Sequence, residues 1–198
     1  MRTDLAHFQR LPGLRDAAAI HARLMAVWQE PQRAYHALQH LVECLEWLDL
    51  AAAEAEVPNR EVIELAIWFH DAVYDPQAAD NEERSAEMAC ECLDEAIATE
   101  VRRLIEVTKT HRAACDDERW MVDIDLAILG AEPGRFDEYE RQIRAEYAWV
   151  TEAVYREKRA EILQSFLERE KLFQTAFFRE RLETRARENL RRLIDSLS

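Results

Sequence analysis

Apolar residues recur at three- and four-residue spacings along almost the whole chain, and the runs stop where helix punctuation stands. That periodicity predicts an all-α protein. A first helix is predicted from about Asp16 to Glu30, stopped near Pro31, and a second from about Tyr35 to Pro58. Asn59 is placed to cap a third, which carries EVIELAIWFHD, and Asp80 with Glu83 three residues on forms a capping box for a fourth through about Ile97. Thr99 is placed to cap TEVRRLIEVTKTH. Asp116 to Leu129 reads as one or two short helices ended at Gly130. After the loop AEPGR, the remainder from Phe136 is predicted to be helical and highly charged, in two or three long pieces.

No repeat, low-complexity linker or shift in composition divides the 198 residues, which predicts a single domain with a core over about 16–130 and a C-terminal helical extension over about 136–198. Three glycines and five prolines suit helices better than a sheet protein. The formal net charge of -14, with no Lys/Arg stripe to offset it, argues against polymeric nucleic acid as a partner. A small phosphorylated molecule stays compatible, because a bound divalent cation reverses the field locally. Cys44, Cys90, Cys92 and Cys115 form no C-x-x-C pair and read as free thiols. With no apolar leader and no window near the roughly 20 apolar residues of a membrane span, a cytoplasmic protein without membrane contact is expected. The charged run from Glu152 to Arg192 reads as solvated helix faces, with a homodimer contact as a further use, and the five tryptophans read as helix-packing residues.

Chemistry concentrates in few places. His36, His40, His70 and His111 lie at the ends or beginnings of predicted helices, accompanied by Asp71, Asp123 and Asp125, while His7 and His21 stand apart. In AIWFHDAVYDP, a helix carried through the core by Ile63, Ala66, Ile67 and Phe69 ends on His70-Asp71. A carboxylate desolvated there needs a partner or a cation. Imidazole and carboxylate together suit zinc, manganese, iron or magnesium-like ions.

The order His40, then His70-Asp71, then Asp125 resembles the H…HD…D signature of the HD superfamily of metal-dependent phosphohydrolases, whose fold is all α. VRRLIEVTKTH, ending in His111, is similar to the I-x-x-H type helix that often follows in that family. More narrowly, YHALQHLVECLEWL, ELAIWFHDAVYDP, DNEERSAE and DIDLAILG together resemble a bacterial subgroup of small predicted HD phosphohydrolases, over nearly the whole chain. Tyr35-His36-Ala37-Leu38-Gln39-His40 is also similar to the YHN-x-x-H segment of cyclic nucleotide phosphodiesterases, with alanine here at position 37.

The resemblance implies an HD-domain helical bundle with additional C-terminal helices. It implies one divalent ion (Mn, Zn, Ni, Co, Mg or Fe) held by His40, His70, Asp71 and Asp125, with Asp123 as the alternative to Asp125. Two residues apart on a helix, those aspartates point roughly 200° apart, so one of them faces the site. A second, labile ion would bridge through Asp71 with His111 or arrive with the substrate. The implied reaction is hydrolysis of a phosphomonoester or phosphodiester of a small molecule, with a nucleotide as the expected class, by metal-activated water. Asp71, His36 and His111 are the expected catalytic residues, and Lys109 and Arg84 the expected phosphate contacts. His36 and His40, four apart, share a helix face in that expectation. Two alternatives stand beside it, a di-iron HD-type oxygenase and a non-catalytic metal- or nucleotide-binding module.

Overall fold

A computed structural model describes residues 3–197. Among them the chain is all α, about 70% helical, without strands. The helices are α1 (Leu5–Phe8), α2 (Ala17–Val27), α3 (Leu38–Glu54), α4 (Arg60–Phe69), α5 (Asn81–Cys92), α6 (Glu95–Glu106), α7 (Asp116–Asp125), α8 (Pro133–Glu146), α9 (Glu152–Leu167) and α10 (Ala176–Leu197), with 3₁₀ turns at Val107–Lys109 and Leu126–Gly130. None is long and apolar enough to cross a membrane.

The centre of the bundle is α4. Its run from Ile63 to Phe69 is buried on all sides because α3, α5, α6 and α7 pack around it. The same burial encloses Glu64, whose carboxylate meets the His7 imidazole at 2.6 Å. His7 and His21, which bonds the Thr3 carbonyl at 2.9 Å, are thus satisfied polar residues near the amino-terminal end. Trp28 and Trp68 are fully buried, and the Trp28 indole N–H donates to the Trp68 carbonyl at 3.0 Å, tying α2 to the end of α4.

Several helix ends differ from the sequence expectation, each for a local reason. The second helix starts at Leu38, not Tyr35, because Tyr35 and His36 give their backbone N–H groups to a side chain from α8. Asn59 precedes α4 in the left-handed region (φ 43°) without a side-chain cap, and Asp80 makes no cap bond either. Its supposed capping partner Glu83 is engaged by Lys109 instead. The fourth helix stops at Cys92, and Asp94, not Thr99, stands at the N-cap of the next. The short α1 has no counterpart in the expectation, and α8 begins at Pro133, inside the predicted loop, with proline in the first helical turn. Asp16 does cap α2, accepting from the Ala19 N–H at 3.1 Å. All four cysteines are free.

Candidate metal centre

Three segments deliver the candidate ligands. His40 stands in the first turn of α3, His70 is the C-cap of α4 with Asp71 following it, and Asp125 is the last residue of α7. The turn after α4 is held from outside by Arg33, a buried residue that sequence reading passed over. Its guanidinium donates to the carbonyls of Asp71 (2.5 Å), Ala72 (3.1 Å) and His36 (3.3 Å), which locks the HD turn against the entry to α3.

The two imidazoles meet each other and both carboxylates. His40 Nε2 lies 3.1 Å from His70 Nε2, 3.2 Å from Asp125 Oδ1 and 3.6 Å from Asp71 Oδ2. His70 Nε2 lies 3.0 Å from Asp71 Oδ2 and 3.6 Å from Asp125 Oδ1. Bonds of about 2.1 Å to one ion put adjacent donors about 3.0 Å apart in an octahedron and about 3.4 Å in a tetrahedron. Within His40, His70 and Asp71, and between Asp125 and both imidazoles, the spacings suit a small divalent cation. The chemistry fits as well, since two imidazoles and two carboxylates neutralise a charge of +2 with mixed nitrogen and oxygen donors. The His70 Nδ1–H donates to the Ile67 carbonyl at 2.9 Å, an acceptor only, so in the neutral ring Nε2 is the free lone pair.

Electrostatics point the same way. Burial alone would raise the Asp71 and Asp125 carboxyls, but the surrounding histidines outweigh it and hold both below the usual carboxylate range. For His70 burial disfavours the charge, and Asp71 with Asp125 reverses that, raising its pKa. This is an anionic pocket that draws a cation or a proton.

Asp123 is elsewhere. Its carboxylate accepts from the Gln174 N–H (2.8 Å), the Thr175 N–H (2.7 Å) and the Thr175 hydroxyl (2.8 Å), and so secures the segment entering α10. Burial pushes it up to about 6 against those bonds. The structure thus places Asp125, not Asp123, with the histidines.

His36 and His111 flank the cluster and belong to neither of its candidate donor groups. His111 Nε2 lies 3.1 Å from Asp125 Oδ2, so its partner is Asp125, where the expectation of a bridging second ion had coupled it to Asp71. Its backbone has a positive φ of 51°, uncommon for a side-chain-bearing residue. The Arg169 guanidinium from beyond α9 donates to the carbonyls of His111 (3.0 Å) and Thr110 (3.3 Å), fixing that turn. Cys44 Sγ lies 3.7–3.8 Å from the His40 ring nitrogens and, with His40 and Asp125, forms a second candidate donor group.

Behind His36 stands Glu146, the last residue of α8. Its Oε2 meets His36 Nδ1 at 2.7 Å and accepts from the Tyr74 hydroxyl at 3.0 Å, while Oε1 accepts the backbone N–H groups of Ala34, Tyr35 and His36 at 2.8–3.0 Å. Burial opposes ionisation, yet these bonds lower the Glu146 carboxyl to about 2. Tyr74 stacks on the His36 ring at 4.0 Å. For His36, burial disfavours the charged form, but Asp71 and Glu146 prevail and raise its pKa. Nothing local marks Glu146 in the sequence, because it acts across 110 residues.

A cavity of about 740 Å³ opens over the cluster, with His36, Asp71, His111, Asp125 and Lys109 in its wall. Lys109 is already engaged, donating to Glu83 (2.5 Å) and to the Ala79 carbonyl (2.7 Å). Arg84 does not line the cavity and lies 4.0 Å from Asp80 on the surface, so the expected phosphate contact has no geometric support. The far wall comes from residues 139–169, which the sequence assigns to an extension. No protein-family model, curated protein or solved structure matches the chain.

Proposed function

We propose that the protein is an HD-type metal-dependent phosphohydrolase, cleaving a phosphomonoester or phosphodiester of a small molecule. The observation that carries the proposal is the approach of His40 and His70 to each other and to Asp71 and Asp125, with both aspartates in the wall of a cavity large enough for a substrate. The HD resemblance in the sequence supports the same four residues. A divalent cation held by them would supply Lewis acidity toward a phosphoryl oxygen and lower the pKa of a water at the site.

The remaining work falls to the chain. His36, with Nδ1 committed to Glu146, has Nε2 as the ring nitrogen left for substrate. Glu146 and Asp71 favour its imidazolium, the form that gives a proton to a leaving oxygen. Stacking on Tyr74 fixes the ring plane. His111 orients Asp125 through their hydrogen bond, and Arg169 holds His111 in place through the backbone. Lys109 offers a positive charge in the cavity wall, shared with Glu83 until an anion competes for it.

The test is phosphate release from a panel of phosphomonoesters and diesters, run with added divalent cations on the wild type and His36→Ala. Cation-dependent release, slowed in His36→Ala with metal content unchanged, is the expected result. A protein that binds metal but turns over no member of the panel would favour the binding-module alternative.

A further inference from the structure

Among the described residues only five large apolar side chains are exposed, and three of them, Trp149, Val154 and Ile162, line the cavity that holds the His/Asp cluster. They are between 48% and 56% exposed, which is costly for side chains of that size unless something covers them. They do not stand alone. Deeper in the same cavity lie Leu126, Leu129 and Ile143, so an apolar surface runs from beside Asp125 out to the solvent edge.

Polar side chains such as Lys158, Ser165 and Arg169 also line the cavity. Among the described residues, however, no asparagine or glutamine lines it, and such carboxamides are common readers of a base edge. Arg159, the most buried cation there, is spent on Glu140 and the Tyr139 hydroxyl.

We infer that this site, if the hydrolase reading on which the inference rests is right, takes an amphiphile: a phosphate ester whose other substituent is an aliphatic chain, with its head at His40, His70, Asp71 and Asp125 and its chain along Leu129, Ile143 and Ile162 toward Trp149. The nucleotide expected from the sequence resemblance is replaced as substrate class. Exposed tryptophan at the mouth, which the sequence reading assigned to helix packing, then has a ligand to cover.

The experiment is calorimetric titration of manganese-loaded protein with methyl-, butyl-, hexyl- and octylphosphonate, whose carbon–phosphorus bond resists hydrolysis, with adenosine monophosphate alongside. Affinity is expected to rise about twofold to fourfold per added methylene and octylphosphonate to bind more tightly than the nucleotide. Ile162→Glu and Val154→Asp, at exposed positions, should weaken octylphosphonate about tenfold or more, with methylphosphonate binding and thermal midpoint unchanged. A flat chain-length series, or a nucleotide that binds tighter than octylphosphonate and ignores both variants, overturns the inference while leaving the hydrolase reading intact. So does a wild-type dimer that Ile162→Glu dissociates without altering the series, because a second copy is then the cover. Failure of methylphosphonate to bind, while 1-octanol still binds and is weakened by Ile162→Glu, removes the hydrolase reading and supports the apolar arm.

Discussion

Asp123 and Asp125, two residues apart at the end of α7, serve opposite sides of the helix: one carboxylate bonds the segment that enters α10, the other meets His40 and His111. The pair separates stability from chemistry within a single turn. Asp123→Ala leaves two backbone N–H groups and a hydroxyl without their acceptor, a loss of about 1–3 kcal/mol or more. Its thermal midpoint should fall by several degrees with metal content unchanged. Asp125→Ala should do the reverse, losing bound metal while keeping most of its stability. Paired melting curves and elemental analysis check both.

Glu146 makes His36 what it is. Glu146→Gln keeps the shape of the side chain but removes the charge that favours the His36 imidazolium. Turnover should drop about tenfold to a hundredfold, as for other partners of functional histidines. The drop should lie in kcat more than in KM, with metal content preserved. A Glu146→Gln enzyme with an unaltered pH–rate profile would remove His36 from the role of proton donor.

The same carboxylate sets an acid limit on stability. Its folded pKa of about 2 lies below the ordinary value of 4.5, so its contribution is complete above pH 4.5 and is lost as pH falls toward 2. The side chain is almost fully buried, and the shift corresponds to a loss on the order of 3 kcal/mol across that window. Urea titrations of wild type and Glu146→Gln between pH 5 and pH 2.5 should converge as pH drops. Parallel curves would contradict the assignment.

Gly130 ends the 3₁₀ turn after Asp125 where α10 crosses closest. A Cβ there would stand 2.6 Å from the Leu182 Cβ and 3.1 Å from its backbone oxygen, so the helix itself must shift. Gly130→Ala should cost about 1–3 kcal/mol and, by displacing the turn, weaken metal binding through Asp125. The same substitution at Gly134, which has open space around it, is the control and should be silent.

How much of this was legible in the sequence follows from the range of each interaction. The buried α4 and the His70-Asp71 pair at its end were visible because periodicity and a polar stop are local signals. His40 and Asp125 came from spacing and resemblance, which already favoured Asp125 over Asp123, and the packing of α10 gives Asp123 its separate use. Glu146 was hidden as one acidic residue among 40. Arg33 was hidden likewise, since its three carbonyl partners lie partly some 38 residues away. Helix ends failed where a tertiary bond took the expected cap, as Lys109 took Glu83. Trp149 was misread because one tryptophan per helix suggests packing, whereas the loop between α8 and α9 leaves it at the cavity mouth.

The central claim is that His40, His70, Asp71 and Asp125 hold a metal ion, and elemental analysis of freshly purified wild type beside Asp71→Ala tests it most directly. Arg33 grips the Asp71 carbonyl, not its side chain, so the variant keeps the turn and should fold. About one divalent ion per chain in the wild type, lost in the variant, is the predicted result. Equal metal in both proteins, or none in either after divalent cations are supplied, would contradict it.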